Sequence, residues 1–147
     1  MMAKRGRKKG VKVVSKKSEI DPTLAYARRL RQNLRARVKN KGMDPTDVPT
    51  AVELYHWLKS EEPLTCYYSG NKVTLSVLNV DHKEPLGLGG SSAISNLCVT
   101  TSRMNKAKGA FTEGEFRDIL LFCKKWPLGG KYLFSRLLKG FMVGRKM

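Results

Sequence analysis

Residues 77–108 read VLNVDHKEPLGLGGSSAISNLCVTTSRMNKAK, and this stretch decides the fold. Val73, Leu75, Val77, Leu78 and Val80 set a mostly period-two apolar pattern, which predicts a strand ending at the acid and imidazole pair Asp81-His82. A glycine-rich loop follows over Leu86-Gly87-Leu88-Gly89-Gly90-Ser91-Ser92, then the short β-prone run Leu97-Cys98-Val99-Thr100. Thr100 to Ser102 offer N-caps for a helix that carries Met104, Asn105 and Lys108. In this order of strand, loop, strand and helix, Asp81 and Asn105 are expected to approach from opposite walls of one small cleft. His82, the next residue on the strand, then points to the other side. A carboxylate and a returning carboxamide are oxygen donors for a hard cation, with an imidazole base beside them.

The ordered set Val80-Asp81-His82-Lys83-Glu84-Pro85-Leu86, Gly89-Gly90, Asn96-Leu97 and Asn105-Lys106-Ala107-Lys108-Gly109 resembles the HNH endonuclease motif of ββα-metal nucleases. The version resembled has asparagine rather than histidine in the last place, as in the HNH domains of RNA-guided CRISPR effectors and some phage homing nucleases. It covers roughly residues 64–122. The resemblance implies an α+β fold with a small ββα-metal core flanked by α-helices. It also implies hydrolysis of phosphodiester bonds in DNA to 5′-phosphate and 3′-hydroxyl ends, one strand per active site. Carried over by position, Asp81 and Asn105 are the ligands of one Mg²⁺ or Mn²⁺, His82 is the general base, and Asn96 holds the loop beside His82. Lys108 is implied either as a phosphate contact in the transition state or as an exposed lysine without a catalytic role, and Lys106 as a nucleic-acid contact. Short free-standing chains of this type resemble phage or mobile-element proteins, some of which act beside a packaging terminase. The resemblance then implies DNA as the partner, with a phage terminase or another nuclease as a candidate second partner in the cytoplasm of a bacterial host. The alternative is a non-catalytic nucleic-acid-binding protein on the same scaffold.

Relatives of this kind often carry a structural zinc on two Cys-x-x-Cys pairs. Here the matching positions read Cys66-Tyr67-Tyr68-Ser69 and Thr101-Ser102-Arg103-Met104, so three of four thiolates are missing. No structural zinc is expected, and Cys66, Cys98 and Cys123 read as buried free thiols.

Charge points to the same class of partner. The chain of 147 residues carries a net charge of +17, and 41% of its residues are hydrophobic, enough for one modest core. Residues 1–41 hold fifteen Lys and Arg against Glu19 and Asp21, a surplus of 13 that leaves +4 for the rest. So uneven a load suggests duplex DNA held partly by an arm, with salt-dependent affinity from counterion release. No run of about 18 apolar residues exists and the N-terminus lacks a signal-peptide segment, so a soluble cytoplasmic protein without a membrane partner is expected.

Three segments follow. Residues 1–20 read as a disordered basic arm, with Arg5, Arg7, Lys8 and Lys9 as candidate phosphate or minor-groove contacts. Residues 21–42 read as a basic amphipathic helix between the cap Asp21-Pro22 and the stop Gly42. Ala27, Leu30, Leu34 and Val38 form its apolar face, and Arg28, Arg31 and Arg35 are candidate phosphate contacts. Residues 43–147 form the nuclease domain. There, 43–49 read as a linker, and Thr50-Ala51-Val52-Glu53 is a capping box opening a helix with Val52, Tyr55 and Leu58 or Trp57 inward. A second capping box, Thr112-Glu113-Gly114-Glu115, opens a helix with the stripe Phe116, Ile119, Leu120, Cys123 and Trp126. A last short helix is expected around Leu133, Leu137, Leu138 and Phe141.

Overall fold

The computed structural model describes residues 20–126 and Tyr132. The basic arm, with Arg5, Arg7, Lys8 and Lys9, and the short helix expected around Leu133 to Phe141 lie outside the described residues. The first helix, α1, spans Pro22–Asn40. Asp21 caps it by accepting a hydrogen bond from the Thr23 N–H at 2.7 Å, and Pro22 fills a position that needs no donor. Past its end, Gly42 adopts φ +70°, where a Cβ would be strained. Thr23, Ala27, Leu30, Leu34 and Val38 are buried along one stripe.

The expected linker is structured. Asp44 caps a single 3-10 turn, Pro45–Asp47, and Val48 is buried behind it. The next helix, α2, spans Ala51–Ser60 and opens with the complete Thr50/Glu53 capping box. Its inward residues are Leu54 and Leu58, with Tyr55 and Trp57 half-buried, while Val52 is exposed. The correction follows from helix geometry, because α2 lies against α1 through positions 54 and 58, and residue 52 is rotated about 160° from 54.

The first strand, β1, is Leu78–His82, shorter than the apolar alternation predicted. Residues 73–77 form a bend, with a bridge between Thr65 and Lys72 in front of it, and Val73 and Leu75 fill the core from there. The second strand, β2, is Leu97–Thr101, antiparallel to β1, with Leu78 opposite Thr101, Val80 opposite Val99 and His82 opposite Leu97. Leu78, Val80, Leu97 and Val99 share one hydrophobic cluster with the buried faces of α1 and α2. The opposite face of the pair, bearing Asn79, Asp81, Cys98 and Thr100, is reached by α3, Ser102–Lys108, which is capped by Thr101 and packs on both strands.

A fourth helix, α4, spans Glu113–Lys125 behind the Thr112/Glu115 capping box. Of its expected apolar stripe only Phe116 is buried. Ile119, Leu120 and Cys123 are half-buried, and Trp126 is exposed. Cys66 and Cys98 are buried free thiols, but Cys123 is not fully enclosed. The fold is therefore α+β, four helices around a two-stranded antiparallel sheet among the described residues. None of the described helices is long and apolar enough to cross a membrane.

Candidate functional site

The end of β1 divides its two functional side chains between opposite faces, as strand alternation requires. Asp81 lies on the α3 side, opposite Cys98 in the ladder. Burial pushes the neighbouring Cys98 thiol up to about 11, so it stays protonated and inert beside the acid. The Asp81 side chain is only 11% exposed, and the Lys108 ammonium stands 3.2 Å from its Oδ2. Although charge is matched there, Oδ2 receives no well-directed hydrogen bond among the described residues. The ion pair is real by distance, yet it leaves acceptor capacity on a buried oxygen, which is where a cation or a bound water would be accommodated.

Lys108 is not the exposed lysine that one of the two expectations for it describes. It is 1% exposed, and its ammonium donates to the His82 carbonyl at 2.8 Å as well as facing Asp81. The lysine ties α3 to the strand end and is not an exposed side chain.

Asn105 returns to the same strand face, but it meets Asn79 rather than Asp81. Its Nδ2 donates to Asn79 Oδ1 at 3.1 Å. Asn79 and Asp81 are two residues apart on one face, about 6.6 Å along the strand. With its N–H so engaged, Asn105 has its carbonyl oxygen as the remaining donor atom for a cation. Among the described residues no three His, Cys, Asp or Glu side chains cluster as a metal set. A site built on the Asp81 carboxylate and the Asn105 carbonyl alone would suit only an ion that takes most of its shell from water and substrate oxygens, as Mg²⁺ does.

His82 faces the α1 side. It is 5% exposed, and its Nε2 lies 3.0 Å from Ser92 Oγ. The Ser92 N–H in turn donates to Asp47 Oδ2 at 2.7 Å, across 45 residues of chain. Burial lowers the imidazole pKa. Asp81 opposes that effect, Arg37 and Lys108 reinforce it, and Asp47 opposes it weakly.

The loop between the strands is fixed by Asn96. Its Oδ1 accepts from the Glu84 N–H at 2.8 Å, while its Nδ2 donates to the carbonyls of Glu84 at 3.0 Å and Ser91 at 2.7 Å. Both ends of the loop are thus closed on one carboxamide. Gly90 lies against the Glu84 carbonyl so closely that any Cβ would overlap it, so the tight closure requires glycine.

The basic residues separate into two flanks of α1. Arg29, Asn33 and Arg37, with Tyr26, line a groove of about 500 Å³ whose other wall is Leu75, Ser76 and Leu78 to Val80. Arg28, Arg31 and Arg35, the arginines singled out from the sequence, do not line it. Arg28 and Arg35 are exposed, and Arg31 is half-buried. Lys106 is exposed on α3.

Sequence reasoning missed Ser92, Asp47, Asn79, Arg29 and Arg37. The arginines carried a signal, since positions 29, 33 and 37 recur at a four-residue interval on one flank. The bond from Asp47 to Ser92 had none, being a contact between two segments read as loops.

No protein-family model matches the chain, and no significant match was found among curated proteins or solved structures.

Proposed function

We propose that the protein is a metal-dependent HNH-type endonuclease that hydrolyses phosphodiester bonds in DNA. What supports this reading most is the way one carboxamide, Asn96, closes the loop between the strands at both ends while Asp81 and His82 leave the strand before it on opposite faces. That arrangement is the one the ordered motif implies, and a purely structural loop would have no need of a buried acid and a buried imidazole at its root.

In this reading Asp81 and Asn105 hold one Mg²⁺ or Mn²⁺. When bound, such an ion polarises a non-bridging phosphate oxygen and stabilises charge on the leaving 3′ oxygen. His82 takes a proton from the attacking water. To do so its Nδ1 must carry the lone pair, so Nε2 donates its hydrogen to Ser92 Oγ, and Ser92 is held in place by Asp47. Lys108 fixes the carbonyl of His82 and the carboxylate of Asp81 from the same ammonium, setting the two side chains relative to each other. Water attacks phosphorus, the P–O3′ bond breaks, and the leaving 3′ oxygen takes a proton from solvent water, giving a 3′-hydroxyl and a 5′-phosphate.

One observation favours a second reading, a nucleic-acid-binding protein without catalysis on the same scaffold. His82 is almost enclosed, and Asp81 already faces an ammonium. Incubation of supercoiled plasmid with the purified protein separates the two. Nicking that requires Mg²⁺ or Mn²⁺ and stops with EDTA is expected of the endonuclease, and plasmid that is bound but never relaxed by either ion rejects it.

A further inference from the structure

The groove between α1 and β1 has a composition that its place in the core does not require. Its lining includes Arg29, Asn33, Arg37, Tyr26, Ser76 and Asn79, and it contains no carboxylate. Arg29 and Arg37 enter no ion pair among the described residues. Eight helical residues separate them, about 12 Å of rise. Two arginines rooted that far apart on one helix flank can hold separate anionic groups. They suit a ligand whose negative charges repeat along a line, such as the phosphates of one DNA strand.

The groove also leads somewhere. Its wall is the outer edge of β1, which has no strand partner there because the sheet holds only two strands among the described residues. At Asn79 that wall touches Asn105 through the 3.1 Å hydrogen bond, and two residues further along the same face stands Asp81. The groove wall thus runs toward the strand end that bears Asp81.

We propose that the α1–β1 groove is the seat of the DNA sugar-phosphate backbone next to the bond to be cut, with Arg29 and Arg37 each holding a phosphate and Asn33 donating between them. Planar guanidinium forks are suited to phosphate oxygens. This seat is the substrate contact of the endonuclease proposed above and rests on that reading for its purpose, but its binding test does not depend on cleavage.

The test uses the full chain, a fluorescently labelled 25-base-pair duplex and EDTA, with affinity measured by anisotropy across a salt series. Arg29→Gln with Arg37→Gln is compared with Arg28→Gln and Arg35→Gln, which removes the same charge from the other flank of α1. All four substitutions keep a good helix former at the helix surface, and thermal melts verify folding. The groove pair is expected to reduce the slope of log K against log salt by about 1.8, with affinity at 0.1 M salt falling on the order of 10- to 100-fold, and the opposite pair by clearly less. Equal losses from both pairs overturn the proposal, as does an unchanged slope in the groove pair or a wild-type chain that binds no duplex. If plasmid is nicked while the groove pair leaves binding unaltered, the groove fails and the nuclease stands. If plasmid is never nicked while the groove pair alone loses binding, the groove stands as a DNA seat and the nuclease reading fails.

Discussion

The ammonium of Lys108 reaches Asp81 Oδ2 at 3.2 Å from a side chain that is 1% exposed, and these two residues are the charged pair at the centre of the fold. Such a pair contributes little net stability against apolar replacements, but removing one member strands the other. Lys108→Met is expected to cost about 3–5 kcal/mol in denaturant unfolding, and adding Asp81→Asn should restore part of it. A loss well under about 1 kcal/mol would show that Asp81 does not depend on the lysine.

His82 gives a prediction with a definite sign. Burial is the largest influence on its imidazole and lowers the pKa below the ordinary value of about 6.5. Just below 6.5 the unfolded chain then binds more protons than the folded one, so this residue's contribution to stability is full above 6.5 and is lost as pH falls through that window. An NMR titration of the metal-free protein should place the His82 midpoint under 6.5; a midpoint at or above it refutes the assignment of burial as the dominant influence. On the activity side, His82→Ala should lower cleavage by roughly 10² to 10⁴ while DNA binding persists.

Metal dependence is tested at the two oxygen donors. Asp81→Ala and Asn105→Ala are each expected to abolish Mn²⁺ binding in calorimetry and cleavage of plasmid. EDTA should stop the wild type without unfolding it, because three of the four thiolates of the zinc pattern are missing. Melting of the wild type on chelation, with zinc found by elemental analysis, would contradict the absence of a structural zinc.

The N-terminal arm is proposed to add phosphate contacts without building the active site. Deleting residues 2–17 should weaken duplex binding and flatten its salt dependence, by about 0.9 in slope for each phosphate the arm neutralises. Turnover at saturating DNA should survive. Failure of saturating DNA to restore cleavage would place the arm in the catalytic step.

Signals that act over a few residues are legible in the amino-acid sequence itself. Asp21-Pro22, Thr50 with Glu53, Thr112 with Glu115 and Gly42 mark helix ends through bonds and dihedral angles of their immediate neighbours, and each helix begins or stops there. The alternate placement of Asp81 and His82 follows from strand geometry alone. What the sequence withholds depends on the direction from which another element approaches. Both flanks of α1 carry arginines beside the same apolar stripe, and only the position of β1 decides that Arg29 and Arg37, not Arg28 and Arg35, face a groove. Lys108 closes a short helix and reads as solvated, yet the Asp81 carboxylate, far earlier in the chain, draws it inside. Val77 is exposed in a turn, because β2 ends opposite Leu78 and offers it no partner.

The sharing of one apolar cluster by α1, α2 and the two strands limits how portable the motif is. A cassette cut to residues 64–122 would carry Asp81, His82, Asn96 and Asn105 intact, but Leu78, Val80, Leu97 and Val99 would lose the covering supplied by Ala27, Leu30, Leu34, Leu54 and Leu58. It would also lose Asp47, and with it the acceptor for the Ser92 N–H behind His82. Transplanting the site into another scaffold therefore means carrying the chain from Ile20 onward, or designing a new apolar lid of matching shape.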